Sequence, residues 1–288
     1  MSADGSDWTE RLANAGKVML ASAALAITTS TMAPPAAQAV TKADLVQLSY
    51  DQVKGTGLAG RCATVAGSDS ITVHNGDKLV DLCVEPTSFA IEHDFSDKRG
   101  EQRRFVDAHP ITRETFTLDA VEGPLEVKNG NLVFHEKDGM DYNPVTLKDN
   151  TQGEGYPMLF NVKQLEAIGI GDKFRPGSVW GGHFNTPSYR TGLFQDPRGR
   201  GGTTGYDAFP GLLALHTGLE GDDELYKENN KVFDESSGTI EFLVDQVDGD
   251  EMAGTFVSIQ KGDSDRGAHD ALNILVKGVW YGRVDEKL

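Results

Sequence analysis

Histidine and serine patterns are the first signs of catalysis to test in this 288-residue chain. A helical zinc site of the H-x-x-x-H type needs two closely spaced imidazoles, and an α/β-hydrolase needs a G-x-S-x-G elbow. The chain contains neither pattern. We therefore expect isolated surface or hydrogen-bonded histidines and no catalytic residues. The histidines are His74, His93, His109, His135, His183, His216 and His269.

One acidic cluster has the composition of a calcium site. Asp245, Asp248, Asp250 and Glu251 supply several carboxylates within a short stretch, and calcium takes six to eight oxygen ligands. The spacing of an EF-hand is absent, however, and Asp248-Gly249 is typical of a tight turn. We expect a solvated hairpin turn, with weak calcium binding as the alternative and no cofactor bound directly.

The stretch Pro187–Asp207 is rich in glycine, proline and arginine. Its glycines and prolines oppose both a helix and a regular strand. It lacks the Lys-Ser/Thr pair with which a phosphate loop binds a nucleotide. Because Tyr189, Leu193, Phe194 and Tyr206 can pack against the rest of the protein, we predict a long ordered loop that carries function. A flexible linker is the alternative.

The chain is strongly acidic, with a formal net charge of -17. Such a surface repels the phosphate backbone, so nucleic acid is not expected as a partner. It suits a basic protein partner, cations, or solubility alone. The composition is that of a soluble globular protein, and the length allows one large all-β domain or two smaller ones.

Residues 1–39 have the pattern of a cleaved export signal. Lys17 precedes an apolar run, Val18–Ile27, which is too short to span a bilayer. Ala37-Gln38-Ala39 matches the small-residue pattern of a cleavage site. We therefore predict an exported protein without a transmembrane span.

The chain has two cysteines, Cys62 and Cys83. In an exported protein a disulfide is the natural interpretation, and two buried free thiols are the alternative. A disulfide would close a loop of about 20 residues and contribute roughly 3 kcal/mol to stability. The spacing fits neither a C-x-x-C redox pair nor a zinc site.

Asn-Gly pairs at two places predict β-hairpins, because this dipeptide favours the tight turn between antiparallel strands. In the first, Ser70–Val73 and Lys78–Val84 flank His74–Asp77. In the second, Leu125–Lys128 and Asn131–Phe134 flank Asn129-Gly130.

The second hairpin is also supported by its register. A type I′ turn would place Val127 opposite Leu132 and Leu125 opposite Phe134. All four apolar side chains would then lie on one face, so the turn and the hydrophobic pattern agree.

Several further segments have the composition of strands. About eight strands with turn signals between them favour an antiparallel barrel or sandwich. The segments are Glu114–Leu118, Pro144–Leu147, Met158–Val162, Thr239–Val244, Gly254–Ile259 and Leu275–Val284.

Two parts of the chain lack the strand pattern. Residues 163–237 show no sustained alternation and read as a long insertion between strands, with one helix candidate at Asp222–Phe233. Residues 40–61 contain a short amphipathic piece and the irregular segment Tyr50–Gly57. We call residues 40–61 the N-terminal arm, and expect it to fray or to dock on a partner.

Blocks spread in order along the chain resemble the manganese-stabilising, or oxygen-evolving enhancer, protein family of photosystem II. The resemblance begins with Tyr50-x-x-Val53-Lys54-Gly55-Thr56-Gly57, which is similar to the family's N-terminal binding motif. The later blocks are Leu82–Phe89, Glu122–Pro124, Glu136–Tyr142, Pro187–Arg190, Asp196–Gly202, Lys227–Lys231 and Gly278–Tyr281.

The resemblance implies an all-β fold, an eight-stranded antiparallel β-barrel with a long loop-rich insertion between strands five and six. It implies a disulfide between Cys62 and Cys83, and a barrel domain over residues 62–288. It further implies a peripheral location on the lumenal side of the chloroplast thylakoid membrane. There the protein would dock on photosystem II core subunits beside other extrinsic oxygen-evolving proteins.

The function implied by the resemblance is structural and regulatory. Such a subunit does not split water, but stabilises the manganese-calcium-oxygen cluster of its partner, helps to retain calcium and chloride, and supports proton exit. An exported acidic β-barrel binding module, or a hydrolase unrelated to photosynthesis, is the alternative.

The resemblance also suggests which residues act. Asp196 is expected in a hydrogen-bonded proton network, because a carboxylate that accepts such bonds stays ionised. The arginines are expected to pair with carboxylates of the partner. The residues expected to dock on the photosystem are Tyr50, Val53, Lys54, Gly55, Thr56, Gly57, Arg190, Arg198 and Arg200.

Overall fold

A computed structural model of the chain describes residues 40–95, 103–111, 116–149, 155–187, 235–263 and 271–286. Most of these residues lie in strands, and the helices among them are short. The predicted export signal, residues 1–39, lies outside the described residues.

The described part contains two short helices and fourteen strands. The helices are α1 (Lys42–Gln47) and α2 (Tyr50–Val53). The strands are β1 (Ile71–Thr72), β2 (Lys78–Asp94), β3 (Arg103–Pro110), β4 (Leu118–Lys128), β5 (Asn131–His135), β6 (Asp138–Met140), β7 (Tyr142–Asp149), β8 (Gly155–Asn161), β9 (Glu166–Ile170), β10 (Lys173–Phe174), β11 (Val179–Pro187), β12 (Glu235–Asp248), β13 (Glu251–Lys261) and β14 (Asn273–Asp285).

Eight of these strands close into an antiparallel barrel. Hydrogen bonds join β2, β4, β5, β9, β11, β12, β13 and β14 in that order, and β14 pairs again with β2. This confirms the eight-stranded barrel implied by the resemblance, and the closed ring excludes the open sandwich. Outside the ring, β3, β7 and β8 extend the sheet from the C-terminal half of β2, and β6 pairs with β4.

Aromatic side chains fill part of the barrel. Trp180 on β11 stacks on Phe242 on β12, with ring centroids 4.4 Å apart. Trp280 on β14 meets Trp180 edge to face at 5.5 Å, and its Nε1 donates a hydrogen bond to the carbonyl of Leu243 at 2.9 Å. Alternate residues of a strand face inward, and all three rings are buried in the core.

The hairpin predicted at Asn129-Gly130 is confirmed together with its register. Leu125 pairs with Phe134 and Val127 with Leu132. Asn129 and Gly130 have φ angles of 54° and 78°, the left-handed pair that a type I′ turn requires.

The hairpin predicted around His74–Asp77 is wrong. The turn itself forms, since the backbone N–H of His74 donates to Asp77 Oδ2 at 2.7 Å. The strands on either side do not pair with each other, because β1 pairs with β10 and β2 pairs with β14 and β4. The dipeptide therefore predicted the turn but not the partners of the strands.

The predicted limits of the insertion, residues 163–237, also need correction. Residues 166–187 form β9, β10 and β11. In chain order β11 and β12 are the fifth and sixth barrel strands, and the interval between them is residues 188–234. That interval lies outside the described residues, as does the helix predicted at Asp222–Phe233.

Among the other strand predictions, Glu114–Leu118 is misplaced. Phe116 and Thr117 are not in a strand, and β4 begins at Leu118. The other five segments lie within or largely within described strands, namely β7, β8, β12, β13 and β14. The turn predicted at Asp248-Gly249 joins β12 to β13.

Candidate functional site

Local hydrogen bonds explain why the N-terminal arm is helical at two places. Thr41 caps α1, because its Oγ1 accepts from the N–H of Asp44 at 3.2 Å while Asp44 Oδ2 accepts from the N–H of Thr41 at 3.1 Å. At the start of α2 the side-chain Oε1 of Gln52 accepts from the N–H of Ser49 at 2.8 Å. Such reciprocal caps satisfy the free N–H groups of a short helix.

A tight turn follows α2 and explains the glycine in the Lys54-Gly55 pair. The N–H of Thr56 donates to the carbonyl of Val53 at 3.1 Å. Lys54 has φ -57° and ψ 121°, and Gly55 has φ 75°, which are the angles of a type II turn with glycine at its third position. Thr56 Oγ1 also donates to the carbonyl of Val53, at 2.7 Å, and stabilises the turn.

The residues predicted to dock form the outer part of the arm. Tyr50 is 73% exposed, and Lys54 Nζ lies 5.5 Å from the centroid of its ring. Val53 is half-buried, while Gly55, Thr56 and Gly57 are exposed. The structure therefore brings the predicted arm residues together on one exposed turn.

The C-terminal end of the arm is fixed to the barrel. Cys62 forms a disulfide with Cys83 on β2, as predicted. The N–H of Cys62 also donates to Glu85 Oε2 at 2.9 Å, and Arg61 Nε lies 3.7 Å from Glu85 Oε1. Thr117 Oγ1 donates to the carbonyl of Gly60. These bonds hold the end of the arm against β2 and the start of β4.

The N-terminal end of the arm is fixed as well. The N–H of Thr64 donates to the carbonyl of Val40 at 2.9 Å, and Lys42 Nζ lies 3.5 Å from Asp81 Oδ1 on β2. Leu45 packs on a small buried cluster. That cluster contains Cys62, Ala63, Val65, Cys83 and Tyr281. Both ends of the arm are therefore tied down while its middle faces solvent.

Charged groups on β2, β13 and β14 surround this contact. Arg283 Nη2 lies 3.5 Å from Asp81 Oδ2, and Arg283 Nη1 lies 3.4 Å from Asp250 Oδ2. Tyr281 donates to Glu251 Oε1 at 2.6 Å. Burial and this hydrogen bond raise the pKa of Tyr281 well above its ordinary value. The phenol therefore stays protonated, and it continues to donate to the carboxylate.

A second group of polar residues is buried beside β11, and sequence reasoning did not single it out. Lys163 Nζ lies 3.1 Å from Asp141 Oδ2, with both side chains buried. Glu136 Oε2 accepts from the backbone N–H of Gln164 at 2.8 Å. The carbonyl of Lys163 accepts from the N–H of Asn185 at 2.9 Å, which ties this polar cluster to β11.

Burial changes the acidity of Glu136 in this polar cluster. Burial raises the pKa of Glu136 from 4.5 to about 7; the hydrogen bond from Gln164 opposes the rise, and the charge of Asp141 adds to it. Its Oε1 is buried and has no hydrogen-bond partner among the residues that the structure describes. A carboxyl group in this state exchanges its proton near neutral pH. The only sequence signal was that Glu136 and Asp141 belong to one of the family-like blocks.

The other predicted site residues belong to the interval between β11 and β12. Arg190, Asp196, Arg198 and Arg200 lie outside the described residues, so their roles stay predictions.

The described residues were searched for groups of metal ligands and for helices that could span a membrane. No cluster of three or more His, Cys, Asp or Glu side chains within these ranges could hold a metal ion. His93 Nε2 contacts Asp149 Oδ2, and both residues are buried, so this histidine is paired with a carboxylate in the interior. No helix in the described part has the length and apolar character needed to cross a membrane.

Comparison with known proteins places the chain in a family. The family model for the manganese-stabilising protein / photosystem II polypeptide matches residues 46–284. Oxygen-evolving enhancer protein 1 of Chattonella marina var. antiqua, described as chloroplastic, is 46% identical over 280 residues, covering 95% of this chain and 87% of the relative. The protein of the same name from Triticum aestivum is 40% identical over 272 residues, covering 92% and 79%. Photosystem II extrinsic protein O of Thermostichus vulcanus is 38% identical over 247 residues, covering 83% and 98%. The chain belongs to the manganese-stabilising protein / photosystem II polypeptide family.

Proposed function

We propose that this chain is an extrinsic subunit of photosystem II. It stabilises the manganese-calcium-oxygen cluster of the partner complex, helps to retain calcium and chloride, and supports proton exit during water oxidation. Family membership supports this assignment, as do the names of relatives that refer to oxygen evolution and to photosystem II. An exported binding module or hydrolase unrelated to photosynthesis is not favoured by these similarities.

The observation that carries the proposal is the geometry of the N-terminal arm. Its two ends are fixed to β2 and the adjacent strands, while Tyr50 and Lys54 stand exposed on a turn between them. A segment held in one conformation loses less entropy on binding than a free tail. The arm is therefore suited to insert into a site on a larger partner without rearranging the barrel.

A second contact is assigned to the interval between β11 and β12. Arg190, Arg198 and Arg200 carry guanidinium groups, which form paired hydrogen bonds with carboxylates. We assign them to docking on core subunits at the lumenal face and Asp196 to a hydrogen-bonded network that passes protons. The chemistry of these residue types supports this part of the proposal.

The proposal includes a location and a domain organisation. Residues 1–39 are a cleaved signal, residues 40–61 the docking arm and residues 62–288 the barrel domain with its insertion. The mature protein lies peripherally in the chloroplast thylakoid lumen beside other extrinsic oxygen-evolving proteins. It performs no catalysis itself, and its net charge of -17 makes nucleic acid an unsuitable partner.

Reconstitution tests the function. Photosystem II membranes are stripped of extrinsic proteins, the full chain is added back, and both bound protein and oxygen evolution are measured. Binding that restores oxygen evolution supports the proposal, and binding without recovery, or no binding, overturns it. A variant lacking Tyr50–Gly57 should keep the circular dichroism of the folded barrel and bind much more weakly. Turnover of a soluble substrate by the isolated chain would instead favour the hydrolase alternative.

A further inference from the structure

We propose that the docking surface of the arm extends beyond Tyr50–Gly57 to Val46, and that the partner meets it with an apolar cleft bordered by carboxylates. This inference rests on the proposed function, because it names the chemistry of the surface that the arm binds. Val46 was not among the residues that the sequence pointed to.

Exposure is the first observation. Val46 is 75% exposed and Tyr50 is 73% exposed, which places both among the most exposed large apolar side chains of the described residues. They are four positions apart in the sequence, so their Cα atoms lie within about 14 Å of each other. Single exposed apolar residues are common on protein surfaces, but these two share one short arm with the family-like motif.

The fixed base of the arm is the second observation. Leu45, the neighbour of Val46 in α1, packs on the cluster around the disulfide. Successive residues of an α-helix point in directions about 100° apart. With Leu45 directed at the barrel, α1 presents Val46 to solvent in a defined direction.

The cation beside Tyr50 indicates the charge of the partner. The N–H of Lys54 donates to the carbonyl of Tyr50 at 2.8 Å, and its Nζ lies 5.5 Å from the ring centroid. The pair thus presents an aromatic face with an ammonium group next to it. Asp51 is also exposed on the arm, so we expect the partner's carboxylate on the Lys54 side of the ring.

The charge of the whole chain argues against a second copy as the occupant. Two chains of net charge -17 repel each other at low ionic strength. A larger partner can place a few carboxylates close to Lys54 while leaving the rest of its surface neutral or basic. The arm therefore fits a different protein better than its own copy.

A matched pair of substitutions tests the apolar part. Val46→Ser removes the proposed contact, and Ile170→Ser removes an equally prominent apolar side chain, 82% exposed on β9. In titrations of stripped photosystem II membranes with the full chain, we expect Val46→Ser to raise the Kd about fivefold and Ile170→Ser to change it less than about twofold. A Kd for Val46→Ser within twofold of wild type, or equal losses in both variants, would overturn the proposal.

Lys54 tests the charged part. Lys54→Met should weaken binding about fivefold at low salt, with the difference from wild type shrinking as salt rises, while Lys54→Arg should bind nearly as wild type. Equal binding by all three proteins would refute the carboxylate assignment. Circular dichroism checks that each variant is folded.

The outcomes separate this inference from the function on which it rests. If wild type neither binds nor restores oxygen evolution, the proposed function fails. If wild type does both and Val46→Ser does the same with unchanged Kd, only the extended surface fails. If the isolated chain sediments as a dimer and Val46→Ser makes it a monomer, a second copy covers the arm. That result would also overturn the proposed partner surface.

Discussion

Lys163 Nζ and Asp141 Oδ2 lie 3.1 Å apart with both side chains buried. Lys163→Met would leave the carboxylate of Asp141 without its cation in the interior. Removing one partner of a buried ion pair costs about 3–5 kcal/mol, so urea unfolding should show a loss near the lower end of that range. The control is Lys128→Met, which breaks the more exposed pair with Glu126 and should cost much less. Equal losses in the two variants would contradict the role assigned to burial.

Glu136 predicts a pH dependence of stability. Its pKa is raised from 4.5 to about 7 by burial, so the folded state binds a proton more tightly than the unfolded chain. The stability contributed by this proton is complete below pH 4.5 and is lost as the pH rises through 7. Glu136→Gln removes this titration, so the unfolding free energy of the variant relative to wild type should increase between pH 4.5 and pH 8. Parallel pH profiles for the two proteins would refute the assignment.

The disulfide between Cys62 and Cys83 should contribute substantially to stability. It joins residues 21 positions apart, and the chain-entropy model gives roughly 3 kcal/mol for such a loop. The double variant Cys62→Ala/Cys83→Ala should lose about this much in guanidinium unfolding. Reductant should lower the stability of wild type by a similar amount and leave the double variant unchanged. A loss below about 1 kcal/mol in both measurements would contradict the prediction.

Two glycines should differ in their tolerance of alanine. At Gly182 on β11 an added Cβ would overlap the carbonyl oxygen of Glu166 on β9, whereas at Gly130 it would meet no atom within 4 Å. Gly182→Ala should therefore cost about 3 kcal/mol through backbone displacement. Gly130→Ala, with φ of 78°, should cost only about 1 kcal/mol. Urea unfolding of both variants measures the two losses of stability. A larger loss for Gly130→Ala than for Gly182→Ala would show that β9 and β11 are not packed as described.

Asp196 carries a functional prediction. Asp196→Asn removes a carboxylate from the proposed proton network while keeping similar volume, so docking should stay nearly intact and oxygen release after each flash should slow. The matched control is Asp172→Asn, an exposed carboxylate beside β10. Normal release kinetics in Asp196→Asn would remove Asp196 from the network.

Local chemistry accounts for the parts of the fold that the sequence predicted. Asn129-Gly130 specifies a turn whose φ angles few other dipeptides adopt, and the apolar alternation on either side sets the register. The same dipeptide at Asn75-Gly76 gave a turn but no hairpin. There the N–H of Val73 donates to the carbonyl of Asp172, a partner far away in the sequence.

The missed strands have a similar explanation. The alternation through residues 166–187 is interrupted by Gly169, Gly181 and Gly182, which lie where neighbouring strands approach closely. A side chain at any of these positions would collide with or crowd the adjacent strand, so the pattern that identifies strands is absent where packing is tightest.

The polar cluster around Glu136 could not be found from the sequence alone. Glu136, Asp141 and Lys163 are separated by up to 27 positions, and strand pairing brings them together. The arm differs, because Tyr50–Gly57 is contiguous and its capping and turn signals are local. Its attachment to β2 through Cys83 was predicted with the disulfide, whereas the attachment through Asp81 became visible only in the structure.

The pairing of β2 with β14 has a consequence for how the chain acquires its structure. This seam joins Lys78–Asp94 to Asn273–Asp285, so the ring cannot close until nearly the whole polypeptide has left the ribosome. Pairings between such distant segments form slowly, and until then the edges of β2 and β13 that β14 covers are open to other chains. Synthesis that stops before β14 should therefore yield aggregates rather than a smaller folded protein.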